Sequence, residues 1–427
     1  MRWVVVYLSE KPVPDCKRVL YLSYTGLLEP LGRSQVLSYL ARLSDEYRFI
    51  LVTFEKPDDL ADRDAMVALR AECAALGIDW RPQRYHHRPR LPATLWDLLV
   101  LLWQTLRHSL RRDVRLVHCR SYIPAIAAWL CGKVTRKPFV FDMRALWPEE
   151  MVTAGRLKTT SFVFSALKWV ERRLLRNAVT VVSLTEAGVQ HLVTAYPEIP
   201  RERFRVITTC VDVDRFHVPE KNAASGRLAD RSPFVVGTMG TLLSGWFYLD
   251  AFFRFFLAVK AARPDAVLSI VTRDDHEEVL SRASESGVNE KDIRIASASA
   301  DDMPDYLAAM DVGVMFFAEK PGSAPTRLGE FLSAGVPVVG NTGIGDLGDL
   351  IRHYDVGTVI ENPFDEKELG EKARSLLEEY DHILQRGSCR AAAETYFTVE
   401  AGAARYREIY RDLLGNCPSS ACQTGRT

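Results

Sequence analysis

Short apolar runs and helical apolar stripes take turns along this sequence. Residues 18–24 (RVLYLSY) form the first run of strand type. A glycine-bounded loop, 26–32, follows. Ser34 stands where it can cap a helix whose Val36, Leu37, Leu40 and Leu43 share one face. A second strand is expected at 49–54. The alternation continues with helices around 62–76 and 93–111, a strand near 116, a helix at 124–132, a strand near 139, a helix at 161–176 and a strand near 179. After a strand at 205–208, the polar stretch 220–232 reads as a linker. The pattern then restarts, with strands near 234, 266, 293, 312, 336 and 357 and helices at 247–261, 276–285, 304–309 and 326–334. Such alternation builds parallel sheets with helices on both faces, so the expected class is α/β with two Rossmann-like, doubly wound halves. Ligands of such sheets sit at the carboxyl ends of the strands. A closing helix opens at Thr398 and carries Tyr406, Ile409, Tyr410 and Leu413 at helical spacing; the tail from Cys417 lacks periodicity and reads as disordered.

A chain of 427 residues is long for one core, which agrees with two domains. Hydrophobic residues make up 47% and charged residues 26%, the balance of a soluble globular enzyme. The net charge of +0 speaks against whole-molecule attraction to nucleic acid. None of the eight cysteines stands at zinc-ligand spacing, so they read as scattered reduced thiols of a cytosolic protein. The apolar start MRWVVVYLS is cut short by Glu10 and Lys11, which argues against a secretory signal. The longest apolar run elsewhere, 125–131, is far too short to span a bilayer.

Candidate chemistry concentrates in SAPTRLGEFLSAGVPVVGNTGIGD, residues 323–346. It reads as a loop opening at Ser323, a helix start, a turn, a buried strand and a second glycine loop. A helix N-terminus offers unpaired N–H groups and the positive end of a dipole, which suits phosphate. Thr326, Arg327, Leu328 and Gly329 supply that end, Arg327 adds a cation, and Glu330 can accept hydrogen bonds from a ribose diol. A surface helix start with solvated Arg and Glu is the plain alternative.

This stretch resembles the donor site of family-4 glycosyltransferases, in which a helix carries E-x7-E before a turn A-x-G-x-P-V-V. Glu330 and AGVPVV (334–339) resemble the second half; the first Glu falls at Gly322 and is absent. Three further matches keep the family's order: VITTCVDVDRF (206–216), FVVGTMGTL (234–242) and the closing FTVEAGAARYREIYRDLL. The resemblance covers roughly residues 17–415. It implies a GT-B fold, two Rossmann-like domains facing a central cleft. Residues 1–215 would form the acceptor-side domain and 216–397 the donor domain; 398–415 would be a helix crossing back and 416–427 a tail. The activity it implies is retaining transfer from a nucleoside-diphosphate sugar without a bound metal. The acceptor would be a glycan, a lipid-linked sugar or a small molecule, in surface polysaccharide or glycoconjugate synthesis. Location would be cytoplasmic.

Site residues follow position by position. Glu330, Arg327, Thr326, Leu328 and Ser323 map to the donor, with Gly240 and Thr241 after the first strand of the second half and Arg273 after the next. Gly32 maps to a loop against the donor phosphates. HCRSYIP (118–124) and FVFDMRALWPEE (139–150) place polar groups just past buried strands. Asp142, Arg144 and His118 are therefore the catalytic candidates, with Arg120 and Glu150 on the acceptor side. Asp212-Val213-Asp214 imitates a metal-binding D-x-D, yet at a strand end entering the hinge it reads as structural. The loop 26–34 departs from a nucleotide-binding P-loop in spacing and in Arg33. A nucleotide-sugar 2-epimerase and a non-catalytic nucleotide-sugar-binding protein are the alternatives. The segment 81–112, Arg-rich and then rich in Leu and Trp, fits either a core helix behind a basic loop or peripheral contact with an anionic membrane at the inner face.

Overall fold

The computed structural model describes residues 17–223 and 226–415. The expected disordered tail and the apolar start lie outside the described residues. Two compact units emerge: the described residues of 1–143, 169–182 and 403–427, and those of 144–168 and 183–402.

The strands are β1 (Arg18–Ser23), β2 (Arg48–Glu55), β3 (Ile78–Arg84), β4 (Val114–Arg120), β5 (Phe139–Asp142), β6 (Thr180–Ser183) and β7 (Phe204–Val206), in the order β3-β2-β1-β4-β5-β6-β7. The second sheet contains β8 (Val235–Met239), β9 (Val267–Val271), β10 (Ile293–Ala296), β11 (Val312–Met315), β12 (Val338–Asn341) and β13 (Gly357–Ile360), ordered β10-β9-β8-β11-β12-β13. The pairings resolved between neighbours are parallel, for example Leu20 with Ile50 and Val236 with Leu268. Both orders reverse beside their first strand, the arrangement that opens a binding crevice at the strands' carboxyl ends. The central strands β1 and β2 are buried from their second residue on because helices cover both faces. In the second unit, Phe252, Phe253, Phe255 and Phe256 of the helix Leu249–Ala262 fill the core beneath its sheet.

Several local expectations change. The first helical run starts earlier than Ser34: it opens with Pro30, whose fixed φ suits a first turn. Ser34 therefore lies inside the run, and its hydroxyl donates to the Pro30 carbonyl at 2.8 Å. The basic segment from 81 is not all loop; it continues β3, an edge strand that tolerates Pro82. The described residues of the polar stretch 220–232 are anchored rather than a free linker: Arg231 and Asn222 are buried and Arg231 pairs with Asp311. The five described cysteines that are free, Cys73, Cys119, Cys131, Cys210 and Cys389, are all buried. No described helix is long and apolar enough to cross a membrane.

Candidate functional site

At the carboxyl end of the second sheet, β8 runs into Gly240, whose φ of +89° favours glycine. The Arg327 guanidinium lies directly against that glycine, where any side chain would collide with it. Its Nη2 donates to the Thr241 carbonyl at 3.1 Å, and the group lies over the rings of Phe317 and Phe247, 5.1 and 5.8 Å from their centres. Nη1 is buried without a hydrogen-bond partner among the described residues. Burial lowers the Arg327 pKa to about 10, so the side chain remains a cation at neutral pH. The turn is anchored from the next strand: Asp274 accepts the N–H groups of Leu242 and Leu243 at 2.5 and 2.9 Å.

Arg327 belongs to the helix Thr326–Ser333, which no side chain caps. The Leu328 N–H is taken by the Pro325 carbonyl at 3.1 Å, which leaves the amides of Thr326 and Arg327 at the open end of the helix. Leu328 is buried and seats the helix. One turn in, burial raises the Glu330 carboxyl above its ordinary value, a shift that Arg327 and Arg215 oppose. A half-dry carboxylate beside a cation is well placed to take hydroxyl protons in hydrogen bonds. Gly240, Thr241, Thr326, Arg327 and Glu330 thus come together. Arg273 does not join this contact: it is exposed, and its Nη2 donates to the Ala298 carbonyl at 3.4 Å.

The position of the absent glutamate has its own packing. A Cβ on Gly322 would stand 2.7 Å from Leu146 Cγ and 3.3 Å from the Leu146 nitrogen. Beside it, Lys320 binds Glu150 at 2.9 Å and lies 4.3 Å from the centre of the Trp246 ring. Ser323 closes this loop by donating its N–H to the Lys320 carbonyl at 3.0 Å. The loop is held against the chain around 146–150, so Glu150 serves as an ion-pair partner here.

In the first unit, Asp142 ends β5 and His118 lies two residues before the end of the adjacent β4, and neither meets open surface. The side chains of both are almost fully buried. Tyr406 donates its hydroxyl proton to Asp142 Oδ2 at 2.9 Å, and the Tyr410 hydroxyl lies 2.9 Å from His118 Nδ1. Tyr21 stacks on the His118 ring at 4.4 Å. The expectation that Asp142 and His118 face an acceptor or sugar is corrected on this point: the closing helix covers them. What surfaces instead is strained backbone. Ser121 after β4 has φ +79°, with its N–H donating to the Asp142 carbonyl at 2.7 Å, and Arg144 after β5 has φ +62°. Non-glycine residues hold such angles only where surroundings over-determine them, most often at functional sites. Arg120, at the end of β4, is buried.

Two features of this end of the sheet escaped the sequence reading. Glu55, fully buried at the end of β2, accepts the N–H of Leu27 at 2.9 Å and the Thr53 hydroxyl at 2.6 Å, fixing the glycine loop in which Gly32 packs against the Gly26 carbonyl. His86, just past β3, places Nδ1 2.6 Å from Asp97, which also takes the Tyr24 hydroxyl proton at 2.8 Å. Asp97 sits in a helix that reads as apolar, so only the period of its buried face would have flagged it. Among the described residues no group of three His, Cys, Asp or Glu side chains forms a metal cluster; Asp212 precedes and Asp214 lies within the short 3-10 turn Val213–Arg215.

Two parallel Rossmann-like sheets, with a phosphate-suited arginine and helix start on the second, define a glycosyltransferase of the GT-B type. The model of Glycosyltransferase Family 4 matches residues 34–215, and that of Glycosyl transferases group 1 matches residues 233–379; the chain belongs to the family-4 GT-B glycosyltransferases. No curated protein matches it in sequence. Among solved structures it is similar to a glycosyltransferase from Rickettsia africae, at 18% identity and TM-score 0.67 over 94% of this chain and 99% of that one. It is similar also to Anabaena HepE in complex with UDP, at 17% identity and TM-score 0.67 over 92% and 100%. Sucrose-phosphate synthase from Thermosynechococcus elongatus matches at 14% identity and TM-score 0.67 over 93% and 99%.

Proposed function

We propose that this enzyme transfers a sugar from a nucleoside diphosphate to a glycan, lipid-linked or small-molecule acceptor, with retention at the anomeric carbon. The observation that carries the donor side is Arg327: a half-buried cation with one buried, unmatched nitrogen, pressed on Gly240 one turn ahead of Glu330. In this reading Arg327, with the amides of Thr326 and Arg327, takes up the charge of the departing diphosphate, and Glu330 holds the ribose hydroxyls. Dipole and cation together give a metal-free route for stabilising the leaving group. HepE, solved with UDP, supports uridine diphosphate as the first nucleotide to try, with guanosine diphosphate beside it. On the acceptor side, the half-buried Arg144 is the group proposed to meet substrate, while Arg120, Asp142 and His118, all buried, hold the strand ends in place. Surface polysaccharide or glycoconjugate synthesis in the cytoplasm is the role this reading favours.

The test is thermal shift with UDP, GDP and their sugars, each with and without magnesium. One nucleoside diphosphate is expected to raise the melting temperature without metal. Glu330→Ala should weaken that nucleotide by about 10- to 100-fold, the worth of hydrogen bonds to a charged group. A nucleotide response left intact by both Glu330→Ala and Arg327→Ala would overturn the donor map. The anomeric configuration of the product, read by NMR, decides retention.

A further inference from the structure

The order of the first sheet fixes which helices share a face. From β1 to β3 the chain steps one way, and from β3 through β4 and β5 to β6 it steps the other way. Right-handed crossovers then put the helices Arg90–Ser109, Tyr122–Thr135 and Phe162–Asn177 together on one face. Contacts agree: Trp129 and Trp169 meet edge to face at 6.1 Å. The inner side of the first helix is satisfied by Ala93, Asp97, Leu101 and Thr105, all buried. Its outer side is apolar as well. Trp96, Leu99, Trp103 and Leu110 follow one another at helical spacing and are 57%, 58%, 62% and 63% exposed. Val134 and Trp169 extend the exposed apolar surface onto the neighbouring helices.

The charges on this layer are one-sided. The three helices contain only two carboxylates, Asp97 and Glu171, and both are buried. Arg107, Lys133, Arg172, Arg173 and Arg176 are all exposed. Lys133 lies over Trp129 at 4.7 Å and Arg173 over Trp169 at 5.2 Å, so cations and aromatic rings are interleaved. A chain with net charge +0 has cleared every exposed acid from one helical layer and left tryptophans there. A second copy would bring like charge against like charge. An anionic bilayer meets both halves of the pattern: the rings enter the headgroup boundary and the cations hold the phosphates.

We infer that this three-helix layer docks the enzyme on an anionic membrane surface. The probe is co-sedimentation of the full chain with phosphatidylcholine vesicles, pure or mixed with phosphatidylglycerol. Binding is expected to the mixed vesicles, at least about tenfold over the pure ones, weakening with salt. Trp96→Ser with Trp103→Ser, and separately Arg172→Glu with Arg173→Glu, should each lower it about tenfold with the melting temperature kept. The lipid and salt dependence of the unaltered chain stands as a test even if a variant fails to fold. No vesicle binding, binding indifferent to lipid charge, or self-association through this face in its place would overturn the proposal. The outcome is independent of the nucleotide assay.

Discussion

At the scale of single residues, Gly322 explains why one familiar acid is missing. Its Cα faces Leu146 with no room for a side chain, since even a Cβ would meet Leu146 Cγ at 2.7 Å. Restoring a glutamate there should therefore harm the fold. Gly322→Glu is expected to cost about 1 to 3 kcal/mol, as overpacking does, read as a lower urea midpoint with an unchanged slope. An unshifted midpoint would mean that the loop yields easily. The sequence shows that the acid is absent but not why, because Leu146 lies far away along the chain. Asp142 and His118 teach the same lesson. Polar residues at strand ends are good site candidates on sequence, but their partner Tyr406 lies 264 positions from Asp142. Arg327, Thr326 and Glu330 were readable because a helix start is a local feature and advertises its own chemistry.

At the scale of elements, the helix Val399–Leu414 shows what an ordinary apolar stripe can hide. Thr398 caps it as expected, accepting the Ala401 N–H at 3.0 Å. The same stripe that packs it also delivers two hydroxyls to buried polar groups. Tyr406→Phe keeps the ring and deletes one bond, leaving Asp142 short of a donor. A loss of about 1 to 3 kcal/mol is expected, and Tyr410→Phe should behave alike at His118; denaturant titration of each variant would show no loss if other groups serve instead. Alternation of period made most strands and helices readable. The misses have physical causes. β3 carries Pro82 and charged residues because it is an edge strand. The helix Glu366–Arg386 is polar on most sides, and one stripe through Leu369, Ala373, Leu376, Tyr380, Ile383 and Leu384 joins the core. The helix Glu186–Ala195 is started partly by Asp346, whose carboxylate accepts the N–H groups of Glu186 and Ala187, a cap supplied from a distant loop.

At the scale of the whole molecule, buried acids set the response to pH. Burial raises the carboxyls of Glu55, Glu330 and Asp346 above their ordinary values. A raised folded pKa means that the native state holds protons the unfolded chain would release. The stability this gives is present below the ordinary value and is lost as pH rises through the folded one. Asp113 is lowered by Arg111, so its contribution is lost only in stronger acid, below the ordinary carboxylate range. His108, pushed down by burial, works against the three acids below its ordinary 6.5. As pH rises above the ordinary carboxylate values of 3.8 and 4.5, the melting temperature is therefore expected to fall, and Glu330→Gln to flatten that slope; a steady rise would contradict it. The first unit is also discontinuous: it takes in residues 403–415, long after its strands at 17–143 and 169–182. On the ribosome these strands emerge first and must wait for the helix that covers them. At typical elongation rates the wait is roughly 10 to 40 s, during which Asp142 and His118 stand uncovered, so a nascent chain needs a chaperone most in that interval.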